Sequence, residues 1–309
     1  MTIAVIGSNM VDLISYIERM PNKGETIEAP DFSLGCGGKG ANQAVAAAKC
    51  GAKVMMMTKV GDDIFGPNTI KNLESFGIDT SLCSIVPNMS SGVAPIFVDP
   101  NSQNSILIIK GANKDLKPQD IDAAEDKLKE CELIILQLEI NIETVYHAIE
   151  FGRKHGIDVL LNPAPADPLL SLEKISSCAF FMPNESELAS LTKMPVDTDE
   201  QVLAAGNKLI EAGIKHVIVT MGSRGSMLIT KDNHTKISPY KVKAVDTSGA
   251  GDAFIGSFAK YYVEHHNIVE AMKVASAFAA LSVTRRGTQK SYPTIDELNA
   301  FIKEQSSKS

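Results

Sequence analysis

The chain has 309 residues, 44% hydrophobic and 22% charged, enough for one large α/β domain with a full core or a core with a small appendage. A net charge of −7 excludes a general nucleic-acid surface, though a few local cations and amides can still hold a phosphate-bearing ligand. No apolar stretch approaches the roughly 20 residues of a membrane span, and five cysteines without a Cys-x-x-Cys pair give no zinc site and lead us to expect a reduced, cytoplasmic protein.

The start, Met1 to Gly7, has no basic n-region and runs straight into a predicted strand at Ile3–Ile6, so no signal peptide is expected. Asp12 follows just past that strand, where open α/β sheets place ligands. There a carboxylate can accept two hydroxyls of a sugar, or simply cap a turn. Leu13 to Leu34 is polar and turn-rich, with Pro21, Gly24 and Pro30 between β-like pieces. The cluster Gly35-Cys36-Gly37-Gly38-Lys39-Gly40-Ala41-Asn42-Gln43 leads into a helix expected over Ala41–Cys50. Its glycines let backbone approach a ligand, and Lys39 and Asn42 offer donors; a flexible turn is the plainer reading. The cluster fits neither the P-loop nor the dinucleotide spacing.

A strand at Lys53–Thr58 and a helix at Asn68–Ser75 follow. Gly92–Val98 and Ser105–Lys110 read as two β runs around the turn Asp99–Asn104. Neither they nor residues 13–34 can bury a face alone. The expectation is one small β lid from residues 13–35 and 89–110 over a core of residues 1–12, 36–88 and 111–309. Helices at Gln119–Lys129, Ile142–His155 and Asp199–Ala212 alternate with strands at Leu133–Leu138, Val159–Leu161, Phe180–Met182 and Val217–Thr220. Buried runs separated by helices indicate βαβ units and a mostly parallel sheet.

Strand ends carry the polar residues. Glu139 is one such carboxylate, uninformative by itself. Asn184 and Glu187 have the spacing of a capping box, the stronger local reading, or could organise Mg²⁺ through water. Thr220 to Gly225, with Gly222, Ser223 and Arg224, could border a nucleotide or form a surface turn. Asp246-Thr247-Ser248-Gly249-Ala250-Gly251-Asp252 precedes a helix expected over Asp252–Glu264. Either Asp252 is an N-cap, or it is a general base beside an acceptor hydroxyl, with amides around the transferring phosphoryl group. Helices at Val269–Thr284 and Ile295–Lys303 close the chain, with Glu304–Ser309 frayed. Between them Arg285 to Ser291 reads as a helix C-cap, or as a loop whose carbonyls ligate a monovalent cation.

Singly these motifs are weak. Their order and spacing, from Gly7-Ser8 and Asp12 through Gly37–Asn42, Asn184–Glu187 and Thr220–Gly225 to Asp246–Asp252, resemble the ribokinase family of carbohydrate kinases over essentially the whole chain. The resemblance implies an α/β domain with a β lid that also forms a homodimer interface. It implies transfer of the ATP γ-phosphate to a sugar hydroxymethyl group, with Mg²⁺ and K⁺ as activator. By position it makes Asp252 the base, Gly249-Ala250-Gly251 the anion hole, and Asp12, Gly38, Lys39, Gly40, Asn42 and Glu139 the sugar site. Asn184, Glu187, Thr220, Gly222, Ser223, Gly225 and Gly251 would border ATP. Asp246, Ser248, Ser282, Arg285, Gly287 and Ser291 would frame K⁺, partly through carbonyls.

One departure stands out. Where the family pattern has a sugar-contacting asparagine, this chain has Met10. A thioether cannot donate to a hydroxyl. An apolar wall suits a CH₂ and points to 2-deoxy-D-ribose, phosphorylated at O5. If Met10 only fills core space, the sugar is D-ribose; a third reading is a non-catalytic sensor on the same fold, which would have no need of Asp252.

Overall fold

The computed structural model describes residues 2–100 and 104–307. Strand β1 (Thr2–Ile6) leads into β2 (Met10–Tyr16) and β3 (Asp31–Gly37), followed by helix α1 (Lys39–Lys49). Then come β4 (Lys53–Gly61), α2 (Gly66–Ser75), β5 (Asp79–Val86), β6 (Gly92–Val98) and β7 (Asn104–Ile106). The middle comprises α3 (Pro118–Ala123), α4 (Glu125–Leu128), β8 (Leu133–Leu136), α5 (Ile142–His155), β9 (Asp158–Leu161), α6 (Leu172–Ile175) and β10 (Phe180–Phe181). The remainder is α7 (Glu185–Thr192), α8 (Asp199–Glu211), β11 (Val217–Thr220), β12 (Ser226–Ile229), β13 (His234–Ile237), α9 (Ala250–His265), α10 (Ile268–Ser282) and α11 (Ile295–Ser306).

Nine strands form the main sheet in the order β13-β12-β11-β10-β9-β8-β1-β4-β5, parallel from β11 through β5. Side chains alternate across a strand, and this alternation divides the core in two. Ile3 and Val5 of β1 pack on the side of α1, α9 and α10, while Ala4 and Ile6 pack on the side of α5 and α8. Leu133/Ile135 and Ile134/Leu136 of β8 divide the same way. Both faces are covered, so these strands read as continuous apolar runs. Among the described residues no helix is long and apolar enough to cross a membrane.

A second, four-stranded sheet has the order β3-β2-β6-β7 and comes from the two excursions. Its β2 starts at Met10, so Met10 and Asp12 stand on this small sheet, with Asp12 paired to Gly35 and Ala94, rather than at the tip of β1. The run Ser105–Lys110 is only partly a strand: its ladder ends at Ile106, and Ile109 returns as an isolated bridge to Val93. The turn expected over Asp99–Asn104 includes residues 101–103, outside the described residues.

Three other expectations are corrected. The helix over 119–129 is two short helices, because Ala124 leaves helical geometry (φ −102°, ψ 9°). Strands β5 and β13, not expected, carry mixed polar patterns that periodicity does not flag, while β12, also not expected, is fully buried and runs antiparallel to both its neighbours. The last helix continues to Ser306, started by a Thr294/Glu297 capping box.

Candidate active site

Two glycine-led helix N-termini meet between the sheets, and their chemistry differs. Gly38 caps α1 with φ 88°, and a Cβ there would stand 2.9 Å from the Met10 amide. The leading α1 amides are all taken. Lys39 N donates to Glu139 Oε2 at 2.9 Å, Gly40 N to Ser8 Oγ at 3.2 Å, and Ala41 N to the Ser8 carbonyl at 2.8 Å. Ser8 Oγ itself donates to Glu139. A carboxylate therefore already occupies the positive end of α1. That end is closed to another anion.

The end of α9 is open. Gly249, not Asp252, is its N-cap, in left-handed geometry (φ 72°) and held by Tyr292 Oη donating to its carbonyl at 3.1 Å. Ala250 N donates to Thr247 O and Ala253 N to Gly249 O, while among the described residues nothing accepts from Gly251 N or Asp252 N. Asp252 makes no cap hydrogen bond, so the N-cap reading fails. Its carboxylate, 6% exposed, turns toward α1, accepting from Gln43 Nε2 at 2.8 Å and Asn42 Nδ2 at 3.1 Å. Gly256, one turn on, permits the approach: a Cβ there would stand 2.3 Å from the Gln43 carbonyl.

A cavity of about 160 Å³ lies over this open end, lined by Lys39, Asn184, Glu187, Thr220, Gly251 and Asp252 among others. Burial pulls the Lys39 ammonium down, but the carboxylates of Asp252, Glu139 and Glu187 outweigh it and leave Lys39 above the ordinary lysine value. One cation, unpaired helix amides and a fixed carboxylate thus share one cleft. That is the equipment for moving a phosphoryl group to a hydroxyl.

Asn184 and Glu187 do form the capping box of α7: Glu187 N donates to Asn184 Oδ1 at 2.8 Å, and Asn184 N to Glu187 Oε2 at 2.9 Å. Desolvation raises the Glu187 pKa despite the Asn184 amide and Lys39. Gly222, Ser223 and Gly225 lie on a 3₁₀ turn after β11 and do not line the cavity. Arg224 in that turn is tied to Glu185, Asp199 and the Val196 carbonyl, so its charge serves packing.

The loops expected around a monovalent cation do converge. Asp246 accepts from Ser248 N and Gly287 N, each at 2.9 Å, and so joins both. The Arg285 guanidinium leaves the loop for Glu297, and the Ser282 and Ser291 hydroxyls donate to the Ala279 and Thr288 carbonyls. From Arg285, only the carbonyl remains for a cation.

Asp12, 9% exposed, is held against Gly37, where any Cβ would stand 2.2 Å from Asp12 Oδ1. Burial, then Glu139 and Asp252, push its pKa up to about 7. Folded Asp12 therefore binds its proton more tightly than unfolded Asp12, and stability falls as pH rises from about 4 to 7. The penalty at pH 8 is on the order of 4 kcal/mol at most. Asp12→Asn is expected to melt above the parent at pH 8, with the gap closing by pH 4. Melting curves at both pH values check this; a gap independent of pH would show that charge is not its cause.

The model of the pfkB family of carbohydrate kinases matches residues 2–295. The chain is 61% identical over 302 residues to a deoxyribokinase of Salmonella typhi, covering 98% of this chain and 99% of that one. It is 40% identical to a ribokinase of Schizosaccharomyces pombe, with 96% of each chain covered. The chain belongs to the pfkB family of carbohydrate kinases. Among solved structures, this pfkB-family chain is similar to the ribokinase of Arabidopsis thaliana complexed with ribose and ATP. The TM-score is 0.92 at 32% identity, covering 97% of this chain and 98% of that one.

Sequence reading missed several buried residues that build this pfkB-family site: Ser8, Gln43, Asn113, Gln137, Asn162 and Gln289. Ser8, Gln43 and Gln289 lay within segments that the sequence singles out, without a role of their own; Asn113, Gln137 and Asn162 had no local signal.

Proposed function

We propose that this pfkB-family kinase transfers the γ-phosphate of ATP to O5 of 2-deoxy-D-ribose. The observation that carries the reading is the contrast between the two helix ends. The α9 end is open and faces Lys39, and the carboxylate beside it is aimed by two amides. Asp252 takes the proton of the 5-hydroxyl as O5 bonds to the γ-phosphorus. The bond from that phosphorus to the bridging oxygen breaks, and ADP leaves with its electron pair. The Gly251 and Asp252 amides and Lys39 stabilise the charge on the phosphoryl oxygens. Asp12 and the second N–H of Asn42 hold sugar hydroxyls.

Among the described residues no group of three or more His, Cys, Asp or Glu side chains is placed to hold a metal. Both Glu187 oxygens are bonded to Asn184. Mg²⁺ would be held by waters and phosphates, with Asn184 and Glu187 organising its waters, and would supply charge neutralisation when bound. The loops joined by Asp246 would hold K⁺, partly through backbone carbonyls such as those of Arg285 and Gly287. The small sheet acts as the lid. Phe32 and Leu34 are about half exposed on one face of its edge strand β3, apolar surface suited to a second copy of the chain.

Met10 supports the choice of sugar. It is 1% exposed, shares the β2 face with Asp12, and is flanked by glycines on both sides, Gly37 and Gly92. Its Cγ would be 2.9 Å from a Cβ at Gly92, so the thioether fills the space a larger neighbour would take. The 61% relative is a deoxyribokinase, against 40% for a ribokinase. An apolar wall rejects an added hydroxyl by only about 10²-fold, so D-ribose should remain a poor substrate. Coupled ADP release with both sugars, with and without K⁺, tests the reading. The expected kcat/KM favours 2-deoxy-D-ribose, and Met10→Asn moves the ratio toward ribose. A parent enzyme that prefers ribose returns Met10 to packing.

A further inference from the structure

We infer that Gln43 and Gln289 are positioning residues that hold the Asp252 carboxylate as a hydrogen-bond acceptor, through a relay of buried side-chain amides. The inference rests on Asp252 being the base. On one side, Asn162 Nδ2 donates to the Met182 carbonyl at 2.9 Å. A carbonyl only accepts, so this contact fixes which end of the Asn162 amide is nitrogen. Asn162 Oδ1 then faces Gln43 Nε2 at 3.3 Å, while Gln43 Oε1 accepts from Gln137 Nε2 at 2.7 Å. Gln43 can present only N–H to Asp252. On the other side, Asn72 Nδ2 donates to Gln289 Oε1 at 2.8 Å, and Gln289 Nε2 donates to Asn42 Oδ1 at 3.0 Å. With its oxygen so occupied, Asn42 turns its nitrogen to Asp252.

Gln43 and Gln137 are fully buried, and Asn42 and Gln289 nearly so. In that setting an amide turned around would set oxygen against carboxylate and N–H against N–H, each an unsatisfied buried pair. A neutral carboxylic acid needs somewhere to place its proton. Here each oxygen of Asp252 already meets an N–H, so the relay holds both oxygens as acceptors and leaves their remaining lone pairs to face a hydroxyl. The charged and titratable groups around it are Asp12 on β2, Lys39 on α1, Glu187 on α7 and Tyr292 after the 285–291 loop. Lys39 is the only cation among them. Gln289 also belongs to the loop that Asp246 ties down at Gly287, so the relay joins that loop to the base.

The test is the pH dependence of kcat/KM for 2-deoxy-D-ribose from pH 5.5 to 9.5 with Gln43→Met and Gln289→Glu. The first keeps shape and removes the donor. The second is isosteric, keeps the Asn72 contact, and forces Asn42 to turn its oxygen toward Asp252. Gln289 sits in a loop, so this variant keeps the test alive if Gln43→Met does not fold. In both, the acid limb should move up by about one pH unit, giving an approximately tenfold loss at pH 6 that is largely recovered by pH 9, with the ATP KM within about twofold. A loss uniform across pH, or no loss, overturns the relay and leaves these residues to packing. Asp252→Asn, run alongside, separates the two questions. If it retains turnover, the base reading itself is wrong and the relay falls with it.

Discussion

Asp252→Asn is expected to lower kcat by about 10²–10⁴-fold while leaving sugar affinity within a few-fold. Asparagine keeps the shape but cannot accept the 5-hydroxyl proton. It also brings an NH₂ group into a position where Asn42 and Gln43 both already donate. One buried donor is then left without an acceptor, which costs about 1–3 kcal/mol of stability. Asp252→Asn should therefore be slower and also less stable. Single-turnover ADP formation, isothermal titration with 2-deoxy-D-ribose and a melting curve read the three effects separately. Turnover within tenfold of the parent would exclude Asp252 as the base.

Gly251→Ala separates activity from stability in the opposite sense. Gly251 lies in the first turn of α9 with ordinary helical φ, and a Cβ there would meet nothing within 4 Å. Alanine in a helix is favoured over glycine by about 0.5–1 kcal/mol, so the protein should melt at the same temperature or higher. The empty space, however, is the cavity over the open helix end. A methyl there keeps a phosphoryl group from the amides, and losing one such donor typically costs about 10²–10³ in kcat. The expected variant is stable and about a hundredfold slower. Full activity in Gly251→Ala would mean that the phosphates bind elsewhere. Gly249 offers no such separation, since a Cβ there would stand 2.3 Å from the Thr288 methyl and strain a left-handed residue.

Much of the fold is written locally. Runs such as Leu133–Leu136 and Val217–Thr220 read as buried parallel strands because both faces are covered, so no polar residue interrupts them. The α5 and α8 helices are similarly plain, with caps at Asn141 and Thr198 on the residues that spacing marks. Strands β12 and β13 are less visible, since β13 sits at the sheet edge and presents polar residues such as His234 and Lys236. The helix over 119–129 looks continuous because composition does not record the break at Ala124.

The site divides in the same way. By itself the sequence determined that small residues precede a helix at Gly249–Asp252, that a second glycine cluster precedes another helix at Gly38–Asn42, and that strand ends carry Glu139 and Asn184. Those are local signals, set by which residues tolerate positive φ and which cap a helix. Only the tertiary structure decided which helix end is open. The carboxylate that closes α1 comes from Glu139, 100 residues from Lys39, and the amides that turn Asp252 from capping to accepting come from Asn42 and Gln43, some 210 residues away. Met10 and Asp12 likewise read as a strand tip until pairing placed them on the small sheet. Whether a given carboxylate or amide is satisfied depends on groups brought together by packing, and no window along the chain contains both partners.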